Sequence, residues 1–383
     1  MPELLISAGE SSGDLFASLL VRKVRSLRPG WTFTGIGGDH LAREGVRLFA
    51  RLEDLAVVGL WEVVGRLPAV LRALRKARET LKEVEGVVLV DYPGFNLQVA
   101  GMAKKNDIPV FYYIAPQVWA WGASRMGQIA ERVTRMAVVL PFEESLFRRF
   151  GVEATFVGHP LLEVMDSCRD LAELGKEFGF EEGPVVGLLP GSRPEEVRRL
   201  LPRFLEAMSH VRSEFPQVRG VVAAARGVPD GLFRRARTEG LSVVQGRTYK
   251  VMAASDVLLV ASGTATLEAA ILGIPMVVAY RTSWPSYSVA RRVVRVPHIA
   301  LPNLIAGRPV VPELIQRAAS PEHIAREALA ILGDRKRREE MREELQVVRE
   351  KLGSPGASLR TAELLVGMLE GSTQTPPATP LRR

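Results

Sequence analysis

The segment of residues 257–275 constrains the fold more than any other part of the chain. Its apolar run up to Val260 predicts a buried strand, and the Ser-Gly-Thr turn at 262–264 follows at once. Helical spacing then continues until Gly273, and a glycine at that point typically ends a helix. A helix that starts where a buried strand ends turns its free N–H groups toward the carboxyl edge of a parallel sheet, where open α/β folds bind anions.

Glu268 lies about one turn inside this predicted helix. A carboxylate there repels phosphate, but it suits paired hydroxyl groups such as those of a ribose. Ser262 and Thr264 stand at the start of the helix, where a phosphate is favoured. The segment therefore predicts a nucleotide-sugar pocket.

Apolar runs alternate with helical patterns along the whole chain, which predicts an α/β fold of two Rossmann-like, doubly wound domains that face a cleft. We expect an N-terminal domain at 1–165, a C-terminal domain at 166–345, and a helix with a disordered tail at 346–383. In the first half, the expected strands are Leu4–Ser7, Thr32–Ile36, Val87–Val90, Val110–Tyr113, Met136–Leu140 and Thr155–Val157. In the second half, they are Val185–Leu189, Arg219–Ala224, Leu241–Val244, Val257–Val260 and Met276–Ala279.

Charge and cysteine content indicate the partners and the compartment. The 383 residues carry a formal net charge of +8, which favours an acidic partner such as a phosphorylated substrate or an anionic lipid. The N-terminus lacks a basic region before its first apolar run, and Cys168 is alone. We therefore expect a cytoplasmic protein without a signal peptide or disulfide. No apolar stretch approaches about 18 residues, so no transmembrane helix is expected.

Polar residues follow two strands of the first half. Glu10 and Ser12 belong to a Gly-Glu-Ser-Ser-Gly-Asp turn after the first strand, and Asp91 and Asn96 follow the third. We expect Ser12 and Asn96 to bind substrate. A carboxylate at a strand's carboxyl end can act as a general base toward a hydroxyl group. The alternative is that Asp91 only caps the turn before the next helix.

In the second half, Ser192 and Arg193 occupy another strand–turn–helix junction. Arginine offers a planar fork that matches phosphate, although a plain surface arginine is the alternative. His159 fits a hinge better than a substrate contact. No set of His, Cys and carboxylate residues has metal-ligand spacing, so we expect neither a metal nor another cofactor.

Residues 60–78 combine apolar side chains at helical spacing with five basic ones, and Pro68 is expected to split the segment into two helices. This composition is typical of a segment that lies on a membrane surface; the alternative is a core helix with a basic solvent face. The residues expected to enter the lipid interface are Trp61, Val63, Val64, Leu67, Val70 and Leu71.

Seven motifs in order make the chain resemble the lipid-A-disaccharide synthase family over nearly its whole length. They are Gly9–Asp14, Asp91–Asn96, Pro116–Trp121, Phe156–His159, Leu189–Arg193, Ser262–Glu268 and Leu301–Gly307. The resemblance implies a B-type glycosyltransferase fold. It also implies inverting, metal-free transfer of 2,3-diacylglucosamine from its UDP derivative to 2,3-diacylglucosamine 1-phosphate, on the inner-membrane surface, with the acceptor on the N-terminal domain and UDP on the C-terminal one.

The resemblance also carries residue roles. Asp91 matches the family's catalytic aspartate, and Glu10, Arg193, Glu268 and Asn303 match positions implicated in catalysis or UDP-sugar binding. Many relatives have a second aspartate where this chain has Gly94; if that acid shares the proton transfer in them, Asp91 acts alone here, and this question stays open.

Two other functions stay open. One is an enzyme of the same fold that acts on UDP-N-acetylglucosamine, such as an epimerase. The other is a non-catalytic lipid- or nucleotide-binding protein. Dispersed Lys and Arg residues argue against nucleic-acid binding. Whether the chain forms a homodimer, with exchange of C-terminal portions as the family does, is also open.

Overall fold

The computed structural model describes residues 2–55, 60–122, 125–166, 183–293 and 296–371. The chain divides into two compact units, one of Met1–Pro160 with Gly353–Arg383 and the other of Leu161–Leu352. The boundary expected after residue 165 thus falls inside a short helix, Leu161–Asp166. The one expected after residue 345 falls inside a longer helix, Arg335–Lys351. Cys168 and the expected disordered tail from residue 372 lie outside the described residues.

Within the described residues, the first unit contains a sheet of seven parallel strands in the order β3-β2-β1-β4-β5-β6-β7. The strands are β1 (Glu3–Ala8), β2 (Thr32–Gly37), β3 (Arg47–Arg51), β4 (Gly86–Val90), β5 (Val110–Tyr113), β6 (Arg135–Val138) and β7 (Ala154–Phe156). Its first helices are α1 (Ser11–Leu27), α2 (Asp39–Arg43), α3 (Leu52–Leu55), α4 (Leu60–Thr80), α5 (Pro93–Lys104), α6 (Val118–Trp121), α7 (Met126–Arg132) and α8 (Glu143–Arg149).

The second unit repeats this architecture, with six parallel strands among its described residues in the order β10-β9-β8-β11-β12-β13. The strands are β8 (Val185–Leu189), β9 (Arg219–Ala224), β10 (Ser242–Gln245), β11 (Val257–Ala261), β12 (Met276–Tyr280) and β13 (Glu313–Ile315). The helices are α9 (Leu161–Asp166), α10 (Pro194–Glu214), α11 (Arg234–Thr238), α12 (Thr248–Ala253), α13 (Thr264–Ile271), α14 (Trp284–Val293), α15 (Leu301–Ala306), α16 (Pro321–Gly333) and α17 (Arg335–Lys351), with a 3₁₀ turn at Asp230–Phe233.

The predicted α/β class with two doubly wound sheets is confirmed, because both sheets are parallel and are wound in both directions from a central strand. The expected strand counts of six and five were wrong, since β3 and β13 were missed. Both are edge strands. β3 is half-buried with an exposed arginine at each end, and β13 has only three residues. An edge strand has a hydrogen-bonded neighbour on one side only, and neither of these two carries the continuous apolar run of a central strand.

The basic, apolar segment forms one helix, α4, with Pro68 inside it, so the expected split into two helices was wrong. Ala73 and Ala77 are buried, and Val70 is half-buried against the core of the unit. Leu71 is 55% exposed. The expectation that Val70 lies on the exposed face is therefore incorrect. The side chains of Trp61, Val63, Val64 and Leu67 lie outside the described residues.

The end of the chain returns to the first unit. A helix here named α18 (Ala357–Leu369) packs on α1, and Arg360 Nε donates to the carbonyl oxygen of Val157 at 2.8 Å. Arg28 and Glu370 form an exposed ion pair at 2.6 Å. No helix in the described ranges combines the length and apolar character that crossing a bilayer requires.

Candidate active site

The first unit brings two acidic residues to one edge of its sheet. Strands β1 and β4 are neighbours, with Ala8 paired to Val90, so Glu10 and Asp91 both follow at the carboxyl edge. The strand order reverses at this point, because the chain winds from β1 toward β3 on one side and from β4 toward β7 on the other. Open α/β sheets bind their ligands at such a reversal.

The backbone at Asp91 has an unusual conformation that the surrounding residues hold in place. Asp91 and Tyr92 have positive φ angles of 48° and 49°, which non-glycine residues adopt only when neighbouring contacts impose them. The Asp91 carbonyl oxygen accepts from Asn96 Nδ2 at 2.8 Å and from the Tyr112 hydroxyl at 2.5 Å. Ser7 Oγ donates in turn to Asn96 Oδ1 at 2.7 Å.

Asn96 was predicted to bind substrate, but its side chain is fully buried. Its amide nitrogen also lies within hydrogen-bond distance of the carbonyl oxygens of Ser7 and Val90. The structure therefore places Asn96 behind the site, where it fixes the turn that carries Asp91.

The electrostatic environment makes Asp91 a weak acid. The pKa of Asp91 is raised from 3.8 to about 7, chiefly by burial and also by the negative charge of Glu10, while a hydrogen bond from the Tyr92 N–H acts in the opposite direction. The Tyr92 hydroxyl has a raised pKa for the same two reasons. A carboxyl group with a pKa near 7 is suited to proton transfer at neutral pH.

The ring of Tyr92 leaves no space for a side chain at Gly9, in the turn after β1. A Cβ atom at Gly9 would lie 2.0 Å from Cγ of Tyr92, so only glycine lets the ring cover the turn. The ring stacks on Phe95 with centroids 5.8 Å apart. Ser12 is half-buried in the first turn of α1, and Glu10 is exposed just before it.

The last residue of the same motif has a structural role. Asp14 is buried, and its carboxylate accepts from the N–H groups of Gly38, His40 and Leu41 at 2.7, 2.9 and 3.3 Å. A Cβ at Gly38 would lie 2.7 Å from that carboxylate. Asp14 thus ties α1 to the start of α2.

Two further titratable residues of the first unit are buried, and one of them, Glu143, interacts with the charge of Asp91. Glu143 accepts from Trp119 Nε1 and from the Leu140 N–H, both at 3.1 Å, and burial raises its pKa to about 7. Sequence reasoning singled out the aromatic loop that holds Trp119 but missed its glutamate partner. His159 packs edge-on against Phe16, and burial lowers its pKa to about 3, so the imidazole is neutral.

In the second unit, β11 ends at the predicted turn, and helix α13 starts at Thr264. Thr264 is exposed and Glu268 is half-buried one turn on. The Tyr249 hydroxyl donates to Glu268 Oε1 at 3.0 Å, and burial raises the pKa of this carboxyl group. Tyr249 was missed because it lies on α12, where no sequence pattern distinguished it.

The turn before α10 differs from the expectation. The sequence predicts that the side chain of Arg193 binds phosphate, whereas the N–H groups of Ser192 and Arg193 both donate to Glu196 Oε2, at 3.1 and 3.3 Å. A second Glu196 oxygen lies 3.8 Å from the Arg193 guanidinium, whose side chain is 52% exposed. The carboxylate of Glu196 therefore occupies the position where an anion would meet these N–H groups.

Asn303 is fully buried, and its side chain makes four hydrogen bonds within the protein. Its oxygen accepts from the N–H groups of Val310 and Val311, and its nitrogen donates to the Val311 carbonyl and to Glu313. The structure does not present this amide to a ligand. Glu313, which no motif singled out, was missed.

Among the described residues, no group of three or more His, Cys, Asp and Glu side chains is arranged to hold a metal ion.

A model of the lipid-A-disaccharide synthetase family matches residues 4–364. The chain is 45% identical over 376 residues to the lipid-A-disaccharide synthase of Syntrophus aciditrophicus, across 96% of this chain and 98% of that one. The fold is similar to a UDP-GlcNAc 2-epimerase from Neisseria meningitidis bound to UDP-GlcNAc, with 12% identity, a TM-score of 0.61, and 96% and 100% of the two chains covered. It is also similar to MurG of Acinetobacter baumannii, with 14% identity, a TM-score of 0.58, and 96% and 100% covered.

The two structural similarities, at such low identity, describe the fold alone. The family match spans both units and all seven motifs, and the curated relative is matched at high identity over nearly its full length. The chain belongs to the lipid-A-disaccharide synthase family.

Proposed function

We propose that this protein is an inverting glycosyltransferase of lipid A biosynthesis. It moves 2,3-diacylglucosamine from UDP-2,3-diacylglucosamine to 2,3-diacylglucosamine 1-phosphate, and it releases the β-1,6-linked disaccharide 1-phosphate and UDP. The observation that carries the proposal is Asp91, held at the carboxyl edge of the first sheet beside Glu10 with a pKa of about 7. A non-catalytic lipid- or nucleotide-binding protein would leave this carboxylate without a chemical role.

Asp91 is the general base in this proposal. Its carboxylate takes the proton from the acceptor's 6-hydroxyl group while that oxygen attacks C1 of the donor sugar. The bond from C1 to the UDP oxygen breaks in the same displacement, so the configuration at C1 inverts. Burial and the charge of Glu10 keep the pKa of Asp91 high enough for it to hold the proton it receives.

The second unit holds the UDP part of the donor. Glu268, oriented by Tyr249, accepts from the ribose hydroxyl groups, and the diphosphate lies at the start of α13 with Arg193 and Ser262 beside it. The dipole and N–H groups of α13 and the arginine fork stabilise the negative charge that develops on the leaving group. The Arg193 guanidinium lies 3.8 Å from a carboxylate oxygen of Glu196. The diphosphate therefore competes with Glu196 for Arg193.

The protein associates peripherally with the inner membrane, where the acyl chains of both substrates remain. On α4, Leu71 is exposed among the exposed basic residues Arg72, Arg75, Lys76 and Arg78. Basic side chains next to an apolar one favour the surface of an anionic leaflet. In this proposal Trp61, Val63, Val64 and Leu67 enter the lipid interface together with Leu71, whereas Val70 packs partly against the core of the unit.

Incubation of the purified protein with the two acylated sugars tests the proposal through UDP release. Substrate-dependent release of UDP supports it. Turnover of UDP-N-acetylglucosamine with no turnover of the acylated pair would support an epimerase of the same fold instead. No turnover of either would leave a binding protein.

A further inference from the structure

The carboxylate of Glu313, in the second unit, accepts three hydrogen bonds from the surrounding protein. Glu313 is the first residue of the edge strand β13, and its side chain is only 10% exposed. Its oxygens accept from the N–H groups of Ile299 and Ala300 at 3.0 and 3.2 Å. Asn303 Nδ2 donates to the same carboxylate at 2.6 Å, and His298 Nδ1 lies 3.6 Å away.

The chemistry of this cluster requires an acceptor at both oxygens. Oε2 faces the Ile299 N–H, and Oε1 faces the Ala300 N–H and the Asn303 amide. A glutamine at 313 would turn an NH₂ group toward one of these donors and strand it, which costs more than the loss of one bond. The carboxylate therefore fixes the segment 298–300 and the start of α15 together.

This segment is in direct contact with the turn at the start of α13. Ser262 Oγ donates to the carbonyl oxygen of Ile299 at 3.2 Å, and the Ser262 N–H donates to the Ala279 carbonyl at 3.0 Å. Ser262 is thus held on one side by β12 and on the other by residues that Glu313 orders.

We infer that Glu313 and Asn303 are a pair of positioning residues for the diphosphate end of the donor site, although neither side chain touches the donor. Glu313 accepts from the N–H groups of Ile299 and Ala300, and the carbonyl oxygen of Ile299 accepts from Ser262. The Asn303 amide nitrogen donates to Glu313, and the Asn303 amide oxygen accepts from Val310 and Val311. The inference rests on the proposed function, because it takes the start of α13 as the place where UDP binds. It gives Asn303 a function without exposing its amide.

The test compares Glu313→Gln with Asp256→Asn. Asp256 is a half-buried carboxylate of the same unit that accepts one backbone N–H, from Val185 at 2.8 Å, at the opposite end of β11. We expect Glu313→Gln to weaken UDP binding about tenfold in calorimetry, and to raise KM for the donor more than it lowers kcat. Asp256→Asn is expected to lower the thermal midpoint without changing the affinity for UDP.

A double variant measures the pairing itself. In Asn303→Asp, a carboxylate would face Glu313, whereas Asn303→Asp with Glu313→Gln restores one donor and one acceptor. We expect the double variant to lose less UDP affinity than the product of the two single losses, which is the signature of coupled residues. Losses that simply multiply would overturn the pairing.

Hydrogen exchange separates this inference from the proposed function. Without nucleotide, Glu313→Gln should speed amide exchange at 262–266 relative to the parent and to Asp256→Asn, because the turn loses its anchor. Unchanged exchange there, or parental UDP affinity, overturns the inference. Should Glu313→Gln fail to fold, Glu313→Asp retains the carboxylate but shortens its reach, and the same two readouts decide. A parent protein that does not bind UDP contradicts the proposed function instead.

Discussion

Replacing Asp91 with asparagine should make the protein more stable and much less active. The pKa of this carboxyl group rises from 3.8 to about 7 on folding. A rise of about three pH units corresponds to about 4 kcal/mol against the ionised form. That figure is an upper limit, because Asp91 is half-buried and water and side chains relax around it. We therefore expect Asp91→Asn to gain on the order of 1–3 kcal/mol at pH 8.

The gain should depend on pH with a defined sign. Below about pH 4 the carboxyl group is protonated in both the folded and the unfolded chain, so the substitution changes little. Between about pH 4 and pH 7 the unfolded chain releases its proton first, and the stability of the parent falls as pH rises. Above about pH 7 both states are ionised and the difference is constant. The other groups that interact with the Asp91 carboxyl group are those of Glu10, Tyr92, Tyr112 and Glu143.

Urea unfolding at pH 5 and pH 8 measures this difference, with Glu131→Gln, at an exposed position on α7, as the control. Steady-state kinetics of the same variant should show kcat lowered by roughly 10²–10⁴ with the affinity for UDP unchanged. In the parent, kcat/KM should rise with pH and level off above about 7. A variant that is destabilised at pH 8 would show that Asp91 is not a costly charge. A variant with nearly normal kcat would show that it is not the base.

Four further results are expected. Glu268→Ala should weaken UDP binding by about 1–3 kcal/mol in calorimetry, because the ribose hydroxyls lose their acceptor; unchanged affinity would place the nucleotide elsewhere. EDTA should leave turnover intact, because the start of α13 and an arginine meet the charge of UDP; loss that Mg²⁺ restores would refute this. Replacing Val64, Leu67 and Leu71 with serine should release the protein from anionic liposomes at an unchanged thermal midpoint, whereas unfolding would assign these residues to the core. Gly38→Ala should lower the thermal midpoint, since its Cβ would lie 2.7 Å from a buried carboxylate oxygen; an unchanged midpoint would contradict this packing.

The central strands and the position of Asp91 were predictable for the same reason. A run such as Val257–Val260 is apolar throughout because helices cover both faces of a parallel sheet, and the residue after such a run lies at the edge where ligands bind. The edge strands β3 and β13 are only half-buried and contain no continuous apolar run. Their identity depends on which strand they join, and the chain's local pattern does not contain that information.

The partners of the site residues could not be predicted because they come from distant parts of the chain. Tyr112 reaches Asp91 from the next strand, Tyr249 reaches Glu268 from another helix, and Glu313 reaches Asn303 around a loop. Motifs identify residues whose chemistry is recognisable locally. Motifs do not show which side-chain amides already have their hydrogen-bond partners within the protein. Asn96 and Asn303 were therefore both expected to face the substrate.

This chain has Gly94 where many relatives have an aspartate, but Asp91 still has a second acid, Glu10, near it. A Cβ at Gly94 would meet nothing within 4 Å, so packing does not force a glycine where many relatives have an aspartate. The second negative charge beside Asp91 comes instead from Glu10, at the end of the neighbouring strand, and it raises the pKa of Asp91. That Asp91 transfers the proton alone stays a prediction, because Glu10 acts on its pKa through charge. The electrostatic condition for a poised base is met by residues from two strands, and an acid at position 94 is not needed to produce it.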